Sequence, residues 1–301
     1  MTAMPQVGSI FDPRPTCVEP LPTAWPLDVL FPSSLHLAHA RGSRSAERLA
    51  FLIHGLAMNE DYFGLLAPEL IGRGYDVWAL RLPGYAGSGA PVRALRPHIG
   101  LSMTYYAWVA ASAMAHLARM LDPAPTHVLA WGHSLGGVVL GTAVTSFPDS
   151  AIARADRLVF EAPAFGEALA WPLTTVAVLA ALPDGVLNTL ARGMLLDDIR
   201  TSPLAAAQGS SFLPGRASRL LLTMNVLALC NPLAQALRLA REALAKSWFV
   251  LGEFDRLVDH DRLVGLLDRW GVAAERRLVL PRNHLLALTV PREMLDWVDG
   301  V

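Results

Sequence analysis

The sequence predicts a doubly wound α/β fold with a mostly parallel sheet. Three observations predict it. Short apolar runs alternate with longer stretches of helical apolar spacing through most of the chain. A glycine-flanked serine, Ser134 in "GHSLGG", sits where one such run gives way to a helical stretch. The two last apolar runs each end in a loop that carries an acid or a histidine. Strand alternating with helix in this way calls for parallel strands joined by helical crossovers.

Taken in order, seven prolines between Pro5 and Pro32 predict an extended or looped segment over residues 1–30, lying on the surface. "LHLAHA" (35–40) alternates as a half-buried strand, and "RLAFLIHG" (48–55) runs apolar as a buried one. "EDYFGLLAPELIGRG" has helical spacing and ends in glycine. "YDVWAL" is a strand, followed by the turn-rich "RLPGYAGSGAP". A long helix is expected from Ser102 to Leu121, a strand over "THVLAW", a helix over "LGGVVLGTAVTSF" and a strand over "DRLVFEAP". Strand "SWFVLG", helix "DHDRLVGLLDRWG", strand "ERRLVLP" and helix "PREMLDWVD" complete the chain. Between Glu161 and Lys246 no strand pattern occurs, and among residues 168–196 only Asp184 and Arg192 are charged. This interruption reads as a helical cap over 162–246, splitting a core of 31–161 and 247–301.

Composition narrows the function. Hydrophobic residues make up 53% and charged residues 17%, so a large core is available and long disorder is not expected. Net charge is −1 with no basic stripe, which argues against nucleic acid as a partner. Two cysteines, Cys17 and Cys230, make no disulfide framework, and the default setting is cytoplasmic. The opening residues lack the basic and apolar regions of a secretory signal, and the greasiest run, 168–183, is too short to span a bilayer. A cap of this composition could touch a lipid surface, but no basic face supports attachment. There is no H-E-x-x-H and no C-x-x-C, so neither a metal nor another cofactor is expected.

Ser134 carries the chemistry. Gly132, His133, Ser134, Leu135 and Gly136 fit G-x-S-x-G between a strand and a helix, where a sharp turn lifts the hydroxyl off the sheet edge. A serine hydroxyl needs a base, and the base an orienting acid. Asp255, three residues past Gly252, and His284, just beyond the last strand, lie on loops leaving the same edge of a parallel sheet. Glu253, Asp259 and Glu161 compete for the acid's place. Glu253 sits too close to its strand, and Asp259 reads as a helix N-cap. Among the other histidines, His260 reads as solvated at a helix start. An oxyanion formed on an acyl substrate needs two N–H donors. Leu135, first in the following helix, is one candidate; Leu56 in "HGLAMNE" is the other, with Ala57 as its alternative.

Together, "HGLAMNEDYFGLLAPELIGRGYDVWALRLPGYAGSG", "GHSLGG", "LGEFDRLV" and "NHLLALT" resemble the α/β-hydrolase superfamily over residues 30–300. Within it the chain is most similar to bacterial carboxylesterases, monoacylglycerol lipases and lysophospholipase-like enzymes. The resemblance implies a sheet of about eight strands with a helical cap after the sixth. It also implies Ser134 as nucleophile, Asp255 as acid, His284 as base and Leu56 and Leu135 as oxyanion donors. Superfamily members that cleave carbon–halogen bonds or epoxides place Asp where this chain has Ser134. Three positions depart from the relatives: Asn283 before His284, Tyr85 where a histidine is common, and Leu135 where ester-cleaving relatives often have Met.

The expected function is a cofactor-free serine hydrolase of esters of apolar acids, medium or long acyl or aromatic. Ala57, Tyr85, His133, Trp171 and Met194 are the candidate pocket residues. An acyltransferase or thioesterase using the same acyl-enzyme, or a ligand-binding protein on the same fold, are the alternatives.

Overall fold

A computed structural model describes residues 9–22, 31–43, 47–56, 58–85, 102–122, 124–165, 168, 239 and 241–300. Eight strands form one sheet: β1 (Phe11–Thr16), β2 (Leu35–Ala40), β3 (Arg48–Ile53), β4 (Tyr75–Arg81), β5 (His127–His133), β6 (Arg157–Glu161), β7 (Ser247–Gly252) and β8 (Arg277–Leu280). Their spatial order is β1-β2-β4-β3-β5-β6-β7-β8. β2 runs antiparallel to both β1 and β4, and every other pairing is parallel. The described helices are α1 (Leu66–Gly72), α2 (Ser102–Met120), α3 (Leu135–Ser146), α4 (Arg241–Ala245), α5 (His260–Arg269) and α6 (Pro291–Gly300).

Strand β3 shows why the sheet is covered on both faces. Leu49, Phe51 and Ile53 pack with the apolar residues of α2, α3 and α5, while Ala50 and Leu52 pack with those of α1 and α6. Period-two alternation of the apolar run 49–53 therefore feeds two cores, as burial between two helix layers requires. Chain order makes the sheet's functional edge. From β3 the chain crosses to β4 on one side, whereas from β5 it crosses to β6 on the other. The loops after β3 and β5 thus diverge at a topological switch point, the place where parallel α/β sheets open a crevice for ligands.

One expectation changes. The Pro-rich N-terminal segment is not only a surface covering: Phe11–Thr16 is an edge strand of the sheet. Pro13 and Pro15 had pointed away from a strand. The carbonyl of Ile10 accepts from Arg41 N–H at 2.8 Å, so even-numbered residues here turn their amide groups towards β2 and the prolines turn outward. An edge strand tolerates proline on its open side and is shielded by it from pairing with another chain. Beyond β1 the segment does cover the domain: Leu21 N–H donates to Ser112 Oγ at 3.0 Å and its carbonyl accepts from Trp108 Nε1 at 2.8 Å, both on α2. The expected cap, 162–246, lies outside the described residues except for 162–165, Ala168, Leu239 and 241–246, and so do Trp171 and Met194.

If β1 belongs to the sheet, its inward and outward residues must differ in cost. Phe11→Ala should lower the unfolding free energy by about 3 kcal/mol in denaturant titration, because Phe11 is buried. Arg14→Ala, at an exposed ion pair with Asp12, should stay within about 0.5 kcal/mol of wild type.

Candidate active site

Ser134 links β5 directly to α3 with φ 52° and ψ −115°. Among the described residues, Ser134 and Ala162 are the non-glycine residues with positive φ. Such backbone costs on the order of 1–3 kcal/mol per residue and persists where its surroundings hold it. Here glycines allow the hold. A Cβ on Gly136 would run into the carbonyl of Ile53 at the end of β3, and one on Gly132 into the carbonyl of Gly136. A Cβ on Gly137 would stand 2.9 Å from Cβ of Pro163, just past β6. The N-terminus of α3 is thereby pressed between the ends of β3 and β6. Ser134 N–H donates to Glu161 O at 2.9 Å, and Ser134 O accepts from Ala164 N–H at 3.1 Å.

The structure brings together the two residues expected as acid and base. His284 Nδ1 donates to Asp255 Oδ2 at 2.7 Å, and both side chains are almost wholly buried. The other oxygen of Asp255 accepts from Leu257 N–H at 2.8 Å and Val258 N–H at 3.0 Å, an Asx-type turn that fixes its rotamer. The loops after β7 and β8 are laced together: Glu253 N–H donates to Leu280 O, Phe254 N–H to Arg282 O, and Arg256 N–H to Asn283 Oδ1 at 3.2 Å. A Cβ on Gly252 would strike the Asn283 carbonyl. Asn283, a departure from the relatives, therefore braces the Asp255 loop. Since Nδ1 of His284 is spent on Asp255, its Nε2 keeps the lone pair a general base needs.

His133 connects this pair to the serine. Its Nε2 donates to the carbonyl of His284 at 3.2 Å, and its ring lies 4.8 Å from the His284 ring. It also stacks on Tyr62, centroid to centroid 4.0 Å. With no exposed surface, it backs Ser134 rather than lining a pocket, which corrects its place among the candidate pocket residues. Burial, and after it the neighbouring His284, hold its imidazole neutral, with a pKa well below the usual value.

Of the oxyanion candidates, Leu135 is the first residue of α3, where an N–H has no partner within the helix. Leu56 follows Gly55, on which a Cβ would meet His133 Nδ1 at 2.7 Å and Ser134 Cβ at 3.1 Å, so the segment after β3 passes close beside the serine. Ala57 lies outside the described residues. His54 shapes this segment. Its Nε2 accepts from Leu82 N–H at 3.0 Å, which leaves Nδ1 to donate to Gly55 O at 2.8 Å. Desolvation pushes its pKa down to about 4, in keeping with a neutral ring serving as both donor and acceptor. Tyr85 is buried edge-on to His54 at 5.2 Å.

The competing residues have other surroundings. Asp259 caps α5 by accepting from Arg262 N–H at 3.0 Å. Glu253 is exposed, and His260 is half-buried rather than solvated. Glu161 is the residue whose role the sequence did not disclose. Ending β6, it is fully buried and accepts from Trp131 Nε1 at 2.7 Å, from Ala287 N–H at 2.8 Å and from the Tyr62 hydroxyl. Burial raises its pKa to about 7 against the pull of these donors and of His284. The available signal was a charged residue directly after the apolar run Leu158–Phe160, which demands partners when buried. No group of His, Cys, Asp or Glu among the described residues could hold a metal ion. No described helix is long and apolar enough to cross a membrane.

A serine at positive φ between strand and helix, with a His–Asp pair on the loops after β7 and β8, sits on a doubly wound, mostly parallel sheet flanked by helices, the fold of the α/β class. The chain belongs to the alpha/beta hydrolase family, whose pattern matches residues 50–297. No curated protein matches the sequence. Among solved structures, it is similar to an esterase from Exiguobacterium antarcticum at 14% identity and TM-score 0.65, over 95% of this chain and 97% of that one. A thioesterase domain from the curacin biosynthetic pathway aligns at 15% identity and TM-score 0.58, covering 96% and 99%. A haloalkane dehalogenase from Paraglaciecola agarilytica aligns at 14% and 0.65, covering 97% and 92%. At such identities the likeness is one of fold.

The Glu161 carboxyl titrates at a higher pH folded than unfolded. Its neutral form therefore contributes stability in full below the ordinary carboxylate range, and this is lost as pH rises through about 7. Comparing wild type with Glu161→Gln by thermal melts at pH 5 and pH 8, the difference should shift in the variant's favour at the higher pH, by a few degrees. A constant difference would mean that Glu161 has an ordinary pKa.

Proposed function

We propose that this chain is a serine hydrolase of carboxylic esters, with Ser134 as nucleophile, His284 as base, Asp255 as the orienting acid and the N–H groups of Leu56 and Leu135 as oxyanion donors. One observation carries the reading: the left-handed turn at Ser134 shares an edge with a buried His284–Asp255 pair, joined to it through His133. Ser134 Oγ attacks the ester carbonyl while His284 Nε2 takes its proton, and Asp255 steadies the resulting imidazolium. The carbonyl oxygen becomes an oxyanion that the two N–H groups hold. His284 then gives the proton to the departing alcohol. Water, giving its proton to the same imidazole, attacks the acyl-enzyme carbonyl; the Ser134 Oγ–acyl bond breaks, the carboxylic acid leaves, and His284 returns the proton to Ser134 Oγ.

The acid part of the ester is proposed to be apolar, a medium or long acyl chain or an aromatic acid. Support for this comes from the sequence between 168 and 196, with its two charged residues, set between β6 and β7 of the sheet. A thioester would pass through the same acyl-enzyme, and an oxygen ester is favoured here only as the simplest substrate of that chemistry.

A fluorophosphonate probe should label wild type at Ser134, and Ser134→Ala, folded by circular dichroism, should lose both labelling and hydrolysis of p-nitrophenyl esters by at least roughly a thousandfold in kcat/KM. Undiminished turnover in the variant would refute the assignment. Across p-nitrophenyl esters of rising chain length, kcat/KM should be higher for octanoyl than for acetyl. A steady decline from acetyl upward would count against an apolar acyl site.

A further inference from the structure

Glu161 is out of place for a residue with no part in the chemistry. It closes β6, pairs in register with His133 of β5 and with Val250 of β7, and has no exposed surface. An unpaired buried carboxyl is costly, and a strand end in this core would take an apolar residue at less expense. Its partners show what it gains. Tyr62 comes from the 3-10 turn Glu60–Phe63 that follows the oxyanion segment, Trp131 from β5 two residues before His133, and Ala287 from the loop that carries His284. Its own carbonyl accepts from Ser134 N–H at 2.9 Å. One residue is thus bonded to every segment that carries a proposed catalytic group except the Asp255 loop, which His284 itself holds.

We propose that Glu161 is a positioning residue of this site: its buried side chain clasps the segment after β3, strand β5 and the His284 loop together behind Ser134, and its carboxylate form steadies positive charge on His284 during turnover. The catalytic half rests on the ester-hydrolase reading; the clasp rests on the hydrogen bonds alone.

The clasp bears on the strain as well. Ala162, the next residue, has φ 41°, and its N–H donates to Val250 O at 2.8 Å. That turn brings Pro163 against Gly137 and Ala164 N–H onto Ser134 O. The two left-handed residues of the site, Ser134 and Ala162, are therefore adjacent across the β5–β6 pair, with Glu161 bonded between them. Losing the clasp would let either relax.

The titratable groups around Glu161 are few. Tyr62 faces it from the turn after β3, His133 lies on β5 and is held neutral by burial, and His284 lies on the loop after β8. The further acid at the site, Asp255, is paired with His284. Charge on His284 and charge on Glu161 favour one another, so the carboxylate is the form that assists a reaction passing through an imidazolium. When Glu161 is protonated, the hydroxyl of Tyr62 can accept that proton's hydrogen bond, and Ala287 N–H has Tyr62 Oη within 3.4 Å as an alternative. Two bonded arrangements are thus available, one per charge state.

Glu161→Gln preserves shape but removes charge. An amide accepts at one end only: with its oxygen kept on Trp131 Nε1, its NH2 can donate to Tyr62 Oη but faces Ala287 N–H, which is left with Tyr62 Oη at 3.4 Å, so the hold on the His284 loop weakens. At pH 8 the variant should fold, keep KM within about threefold and lose kcat by roughly tenfold or more, as expected from slight misplacement of a base. The acidic limb of kcat/KM should move to lower pH by roughly half a unit, since without the nearby negative charge His284 sheds its proton more easily. Amide exchange in peptide 284–290 should quicken about tenfold or more, independently of any substrate. Wild-type kcat in the variant would overturn the proposal whatever the exchange shows, and so would a loss of kcat with both the acidic limb and exchange unmoved. Should the variant not fold, Tyr62→Phe, which removes one donor only, must still quicken exchange and lower kcat by about threefold; unchanged values for both would sink the idea. A wild-type chain that neither labels nor turns over esters would end the ester reading, while exchange at 284–290 would still decide the clasp.

Discussion

The close approach of α3 to the end of β3 is the constraint from which the site follows. Side chains normally keep a helix and a strand about 10 Å apart. Here the first turn of α3 sits so near Ile53 that Gly136 can carry no Cβ, and Gly132 and Gly137 are subject to the same exclusion from their own neighbours. This contact leaves the intervening residue no ordinary conformation, and Ser134 takes φ 52°. Its hydroxyl leaves the sheet edge as a consequence. The N-terminus of α3, with its N–H groups and positive dipole end, stands beside the serine for the same reason. The proposed nucleophile and the proposed anion-stabilising donor thus both follow from one packing event.

A second consequence is a polar interior. Pressing three loops around Ser134 buries His54, His133, Glu161, Asn283 and His284 almost completely. Such groups are tolerated when each finds partners, and they then specify a single arrangement more sharply than apolar packing does. His54 is held by one donor and one acceptor on separate loops, and His133 reaches across to the backbone of His284. Both rings are kept neutral by burial, so neither competes with His284 for a proton. Stability is sacrificed to this end. Non-glycine residues at positive φ and a carboxyl raised to about 7 are features that a chain selected for stability alone would discard.

How far the sequence disclosed this arrangement depended on whether a signal was local. The buried parallel strands stood out because both their faces are apolar, and the serine turn because its glycines are needed by backbone contact rather than by packing detail. Asp255 and His284 could be placed because each follows a strand whose neighbours in space are set by the fold. β1 escaped because Pro13 and Pro15 speak against a strand until the open edge is known, and no local pattern tells which strand is an edge. Asn283 read as a departure from relatives, yet its Oδ1 anchors Arg256 N–H, a contact between loops that no spacing encodes. Glu161 was visible as an acid at a strand end, but its three donors come from Tyr62, Trp131 and Ala287, as much as 126 residues away in the chain.

The two buried carboxyls show why residue type alone could not assign the acid. Asp255 and Glu161 both follow or end a strand at the same sheet edge, and each accepts three hydrogen bonds. Asp255 spends one oxygen on two backbone N–H groups and turns the other on the imidazole of His284. Glu161 meets an indole, a phenol and an amide, all neutral donors, and senses His284 only through space. A carboxyl that holds neutral donors in place responds mainly to burial, and Glu161 does so. The same functional group is therefore given two different surroundings, and the difference is set by which segments the fold brings within hydrogen-bond distance rather than by spacing along the chain.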